Sequence, residues 1–118
     1  MVRYGCGREN CLVWVSRHEL NEKNNEILKR AFGDYEIVRF SQTVTDVSEL
    51  VKFANENDAD AYVVVLPPHL IQQLMNADRR PIYRFVVERI VDEKGNAVFT
   101  PIGLERIVKI EVVTERIV

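Results

Sequence analysis

Two imidazoles and a guanidinium stand where an open α/β sheet would gather them. The chain has two histidines, His18 and His69. Each follows closely on an apolar run. Cys11-Leu-Val-Trp-Val-Ser16 leads into Arg17-His18, and Ala61-Tyr-Val-Val-Val-Leu66 leads into Pro67-Pro68-His69. At helix N-termini such groups suit an anionic ligand such as a phosphate, a carboxylate or a nucleotide. The same residue types could act as general acid and base in a small hydrolase or nuclease. Ordinary roles compete with both readings: Ser16 as a helix cap, Arg17 and His18 as solvated first-turn residues, and His69 as the residue after a proline start.

Other chemistries find less support. Neither GxGxxG nor GxxxxGK[ST] occurs, and the loop after the first apolar run has no glycine. A dinucleotide or P-loop site of the usual kind is therefore not expected. Cys11 and Arg17 are spaced like a cysteine-phosphatase loop, yet Leu-Val-Trp-Val-Ser between them should be strand rather than a cradle of amides. No acidic cluster accompanies the histidines, so neither a metal nor a cofactor is expected. Cys6 and Cys11 could close a small disulfide, supply half of a zinc site across a dimer, or remain a free thiol and a buried small side chain. Arg79-Arg80, with Tyr83 and Arg84 nearby, is the only dense basic spot and the place to look for nucleic-acid contact; a solvated turn is the plainer reading.

The elements that must position these residues follow from periodicity. Residues Met1–Asn10, with Gly5 and Gly7 and no period, read as a loosely held arm. Cys11–Ser16 is a buried-type strand. Ser16 and Glu19 have capping-box spacing, Leu20, Ile27, Leu28 and Ala31 share a helical face, and Gly33 ends the helix. Tyr35–Phe40 is a second strand and Ser41-Gln42-Thr43 opens a polar loop. Asp46 and Glu49 form a second capping pair before Val47, Leu50, Val51 and Ala54. Ala61–Leu66 is a strand buried on both faces, followed by a helix from Pro68 that buries Leu70, Ile71, Leu74 and Met75.

Beyond Asp78-Arg79-Arg80-Pro81 the pattern changes. Ile82–Val91 is a long strand, 92–96 a turn, and Ala97–Pro101 and Leu104–Thr114 two further strands around a bend at Gly103. The expected fold is thus a three-layer Rossmann/flavodoxin-like α/β unit, a βαβαβα parallel sheet over 11–78 finished by a C-terminal antiparallel β-meander over 79–118. The order 2-1-3 would bring the loops holding Ser16, Arg17, His18, Ser41, Gln42, Thr43 and His69 to one switch-point crevice. This shape resembles Rossmann-like ligand-sensing domains and flavodoxin-like receivers. The acidic cluster and phosphorylatable aspartate that a receiver carries are missing where Ser16-Arg17-His18 stands.

The totals set the outer bounds. At 118 residues, 47% hydrophobic and 29% charged, one globular domain is expected. A net charge of −2 argues against a dedicated nucleic-acid binder. No leader and no membrane-length apolar run is visible, so a soluble, cytoplasmic protein is expected. The Val, Ile, Glu, Lys and Arg content is compatible with a thermophile. Phe85, Val87, Phe99, Ile107 and Val113 exceed what the helices can cover, which points to a homodimer through the meander. The function expected is a non-enzymatic binding or regulatory module for a small anionic or nucleotide ligand. The alternatives are a hydrolase or nuclease built on His18 and His69, or a purely structural interaction protein.

Overall fold

Short β-branched runs form the strands, and the stretches between them with a 3.6-residue apolar period form the helices. The computed structural model describes residues 10–108 and Ile117. These form β1 (Cys11–Val15), α1 (Glu22–Phe32), β2 (Glu36–Phe40), α2 (Val47–Glu56), β3 (Ala61–Val64), α3 (Pro68–Ala77), β4 (Ile82–Val91) and β5 (Ala97–Arg106). The five strands make a mixed sheet in the order β2-β1-β3-β4-β5. Strand β1 pairs in parallel with both β2 and β3, β3 pairs in parallel with β4, and only β4 and β5 are antiparallel.

The C-terminal part departs from the sequence expectation. Ile82–Val91 does not open a meander; it pairs in parallel with β3 through Tyr62–Ile82 and Val63–Tyr83, with α3 as the crossover. Among the described residues a single hairpin, β4–β5, supplies the antiparallel pairing. Gly103 makes no bend, because β5 runs on past it opposite Val86. The irregularity is a bulge between Val86 and Val87, where the register skips Ile102 and so absorbs one extra residue of β5. The part of the expected final strand at 109–114 lies outside the described residues, as do positions 1–9 of the expected arm. Asn10 is held firmly: its side-chain amide donates to the Phe32 and Asp34 carbonyls, and its own carbonyl accepts from Glu36 N–H.

Alternation along β1 and β3 sorts the core into two clusters. Val13, Val15, Tyr62 and Val64 pack with Val47, Leu50 and Ala54 of α2 and with Leu70, Ile71 and Leu74 of α3. Leu12, Trp14, Ala61 and Val63 pack with Leu28 of α1, and Leu20, Phe32, Phe85 and Leu104 close that side. All five β1 residues and all four β3 residues are buried, which is why both runs lack charged residues.

Helix α1 starts later than the Ser16–Glu19 spacing predicts. Its N-cap is Asn21, whose side chain accepts from Asn24 N–H while the Asn24 side chain accepts from Asn21 N–H. The chain from Ser16 to Leu20 is therefore a loop, Leu20 packs from outside the helix, and Ala31 is exposed rather than facing the core. In α2 the Asp46 half of the expected pair is seen: its carboxylate accepts from Ser48 N–H.

One polar network locks the base of the sheet. The buried Tyr62 donates its hydroxyl to Asp78 Oδ2 at 2.6 Å. Arg80 Nη1 meets the same oxygen at 2.7 Å, and Arg80 Nε donates to the Ala59 carbonyl at 2.7 Å. Burial pushes the Tyr62 phenol well up, and its hydrogen bond to Asp78 adds to this. Burial alone would raise the Asp78 carboxyl, but the bonds from Tyr62 and Arg80 together outweigh it and hold the group below the usual carboxylate range.

Candidate functional site

The ends of β1, β2 and β3 open on one cleft. Its floor is apolar, made by Val15, Val44, Val65, Leu66, Pro67 and Leu70, and its rim carries Ser16, Arg17, His18, Gln42 and Thr43. The cleft has a volume of about 500 Å³, and none of these lining residues is a carboxylate.

Several bonds give the rim its shape. Ser16 Oγ accepts from His18 N–H at 3.1 Å, forming a tight local turn. The His18 carbonyl accepts from Trp14 Nε1 at 2.8 Å, so the loop is pinned to the core by the indole. Arg39 Nη2 donates to the Arg17 carbonyl at 2.6 Å, and Arg39 also faces Glu19 at 3.6 Å. The Arg17 guanidinium reaches across to Thr43 Oγ1 and so ties the loop after β1 to the loop after β2. One of the five N–H donors of Arg17 is directed at Thr43, which orients the plane of the remaining four.

Not every expected residue joins this cleft. Ser41 is exposed and outside the lining, and His69 is exposed in the first turn of α3 and also outside it. His18 and His69 therefore do not share this cavity. The residues that periodicity did not single out are Arg39 and Trp14, which fix the loop from behind. A basic residue at alternating register in β2 and a lone tryptophan in a buried run carry no spacing signature for that role.

A second, larger cavity of about 860 Å³ adjoins the cleft and is lined from both sides of the sheet, by Trp14 and Phe85 on the α1 side and by Val64 and Ile71 on the other. It shares Ser16, His18, Val65 and Leu66 with the first. Its far wall is the β4–β5 hairpin, through Phe85, Val87, Phe99 and Pro101, and its near wall includes Trp14, Glu19 and Asn21. Trp14 and Phe85 meet edge to face there at 5.7 Å between ring centroids.

Of the arginines named as a basic spot, Arg84 lines the larger cavity, whereas Arg79 and Arg80 line neither. Arg80 is half-buried in the Tyr62–Asp78 network, Arg84 pairs with Glu105, and Arg79 is exposed. Arg79 and Arg80 line a separate hollow of about 340 Å³ with Arg106, Ile82 and Ile107. Cys11 is fully buried with its sulfur in a disulfide rather than as a free thiol. Cys6 lies outside the described residues. Among the described residues no group of three or more His, Cys, Asp or Glu side chains could hold a metal ion, and no helix is long and apolar enough to cross a membrane.

What the fold and site define together is a mixed α/β domain with a polar-rimmed cleft at the carboxyl ends of its parallel strands. Compared with known proteins, the chain matches no family model, no curated protein and no solved structure.

Proposed function

We propose that this protein is a non-enzymatic binding module that takes a small anionic ligand, a phosphate or carboxylate compound or a nucleotide, in the cleft at the ends of β1, β2 and β3. The observation that carries the reading is the convergence of Arg17, His18, Gln42 and Thr43 on one cavity without a carboxylate in its lining. The place is also where a Rossmann-like arrangement holds ligands. Strands β1 and β3 are neighbours, and their following helices pack in different core clusters. The apolar floor would accept a flat ring or a short aliphatic body, with the rim holding its charged end. Removing Arg17 removes a charge-assisted contact, which corresponds to roughly 10- to 150-fold in affinity.

The test is a thermal-shift screen of inorganic phosphate, dicarboxylates and mononucleotides, followed by calorimetry on any hit. Stabilisation of the parent protein and its loss in Arg17→Ala and Thr43→Val support the reading. If no anion raises the melting temperature, or if the hits stabilise Arg17→Ala equally, the reading fails.

Self-association through the C-terminal hairpin is a second reading, favoured by one observation. Val87, Ile90, Val91, Val98, Phe99 and Ile102 are all large, apolar and exposed, and all lie on β4 or β5. A homodimer presenting two clefts is the assembly this supports. The His18–His69 hydrolase has no such support, since the two imidazoles do not line a common cleft.

A further inference from the structure

The cleft and the larger cavity adjoin along a shared wall, and they differ in kind. Ser16, His18, Val65 and Leu66 belong to both. Val65 marks the junction. Its N–H donates to the Val15 carbonyl at 3.1 Å, which carries the β1–β3 bonding past Val64, yet Val65 is 60% exposed. Val87, Val98 and Phe99 of the hairpin are likewise more than half exposed, and all four residues line the larger cavity. These large apolar side chains therefore border a hollow rather than a convex surface. Apart from His18 on the shared wall, the charged groups of this cavity are matched: Glu19 faces Arg39, and Arg84 pairs with Glu105. The cleft instead offers Arg17, with no carboxylate in its lining.

Resting on the anion-binding reading above, we infer that the ligand spans both hollows. It is an organic anion with an uncharged ring or apolar body, an aryl or alkyl phosphate or carboxylate. Its anionic head meets Arg17 and Thr43 on the cleft side. Its body passes over Val65 and lies in the larger cavity against Phe99. His18, on the shared wall, stands where head and body join.

Two observations favour this class of ligand. The first is continuity: a group held at the cleft rim needs no gap to reach the larger cavity, because four residues are common to both. The second is charge. A wall whose carboxylate and guanidinium already have partners suits an uncharged body, and a carboxylate-free rim with an arginine suits an anionic head. An inorganic anion would occupy the cleft alone and leave the four apolar side chains in water. Taking one aromatic body out of water against them corresponds to roughly 10- to 150-fold in affinity.

Calorimetry on the full chain with inorganic phosphate, naphthyl phosphate and naphthol tests this, with far-UV circular dichroism as the check on folding. Naphthyl phosphate should bind about 10-fold or more tighter than either of the other two. Phe99→Ala and Val65→Ser, both at exposed positions, should each cut the preference for naphthyl phosphate over phosphate by about 3-fold or more. Phosphate binding with no gain for naphthyl phosphate would mean that the larger cavity is closed to ligands, by the chain's own segments or by a second copy. That result would overturn this inference and leave the anion site standing. Naphthol binding as tightly as naphthyl phosphate, or a preference unchanged in both variants, would also overturn it. Binding of none of the three would refute the anion reading, and this inference with it.

Discussion

Replacing Tyr62 by Phe removes one oxygen and probes the lock at the base of the sheet. The hydroxyl donates at 2.6 Å to Asp78 Oδ2, an oxygen also held by Arg80 at 2.7 Å. The ring itself is fully buried between β1, β4 and the helices, so Phe keeps the apolar packing. What is lost is a hydrogen bond to a charged group, at about 1.5–3 kcal/mol. Arg80 still compensates the carboxylate, which favours the lower half of that range. At this chain length ~2 kcal/mol corresponds to a fall of roughly 6–10 °C in Tm. Urea denaturation followed by circular dichroism reads it directly, as a lower midpoint with an unchanged slope. Pairing Tyr62→Phe with Arg80→Met in a double-mutant cycle should give a coupling above about 0.5 kcal/mol. A midpoint within error of the parent, or strict additivity in the cycle, would refute the claim that these groups act as one network.

The same network sets a pH window. Asp78 titrates below its ordinary range, so its contribution is present above about pH 4 and is lost as pH falls through the lowered value. Tyr62 titrates above its ordinary range, so its contribution is full below about pH 10 and is lost as pH rises further. Midpoints measured across pH should flatten on both arms in Tyr62→Phe and Asp78→Asn; unchanged arms would count against the network. Asn21→Ala removes the α1 cap and should cost about 1 kcal/mol, whereas Ser16→Ala should cost less, because Ser16 caps no helix. The opposite ranking in urea melts would return the start of α1 to Ser16. Leu28→Ala empties a fully buried site in the smaller core cluster and should lower stability by about 2–5 kcal/mol; a value under ~1 kcal/mol would mean that α1 is not packed there.

Much of the fold was legible because its strands are unambiguous. Cys11–Val15 and Ala61–Val64 admit no charged residue, and such runs belong in the middle of a covered sheet. The α2 stripe and its Asp46 cap were equally plain. The start of α1 was not, for a physical reason. Ser16 and Glu19 satisfy the capping pattern, but tertiary bonds from the Trp14 indole and Arg39 hold the intervening carbonyls in a loop, and the Asn21–Asn24 pair caps the helix instead. The antiparallel pairing expected of Ile82–Val91 is present along most of the strand, where β5 is its neighbour among the described residues. Only the first two residues pair with β3, and two residues carry no periodicity.

The candidate site was legible by position more than by residue. Chain order alone placed the loops after β1 and β2 at a common cleft. Which side chains enter it depended on where each helix begins. Because α3 begins at Pro68, His69 falls in its first turn and out of the cleft. Because α1 begins six residues after Ser16, a whole loop is free to cross toward Thr43.

The central claim is that the loops after β1 and β2 bind an anion together. Backbone amide NMR during titration with inorganic phosphate and a mononucleotide tests it most directly. The account predicts that Ser16, Arg17, His18, Gln42 and Thr43 shift along a single saturating curve, and that Arg17→Ala moves it to roughly 10- to 150-fold higher ligand concentration. Shifts confined to Arg79, Arg80 and Arg106, or no saturable shift at all, would contradict it.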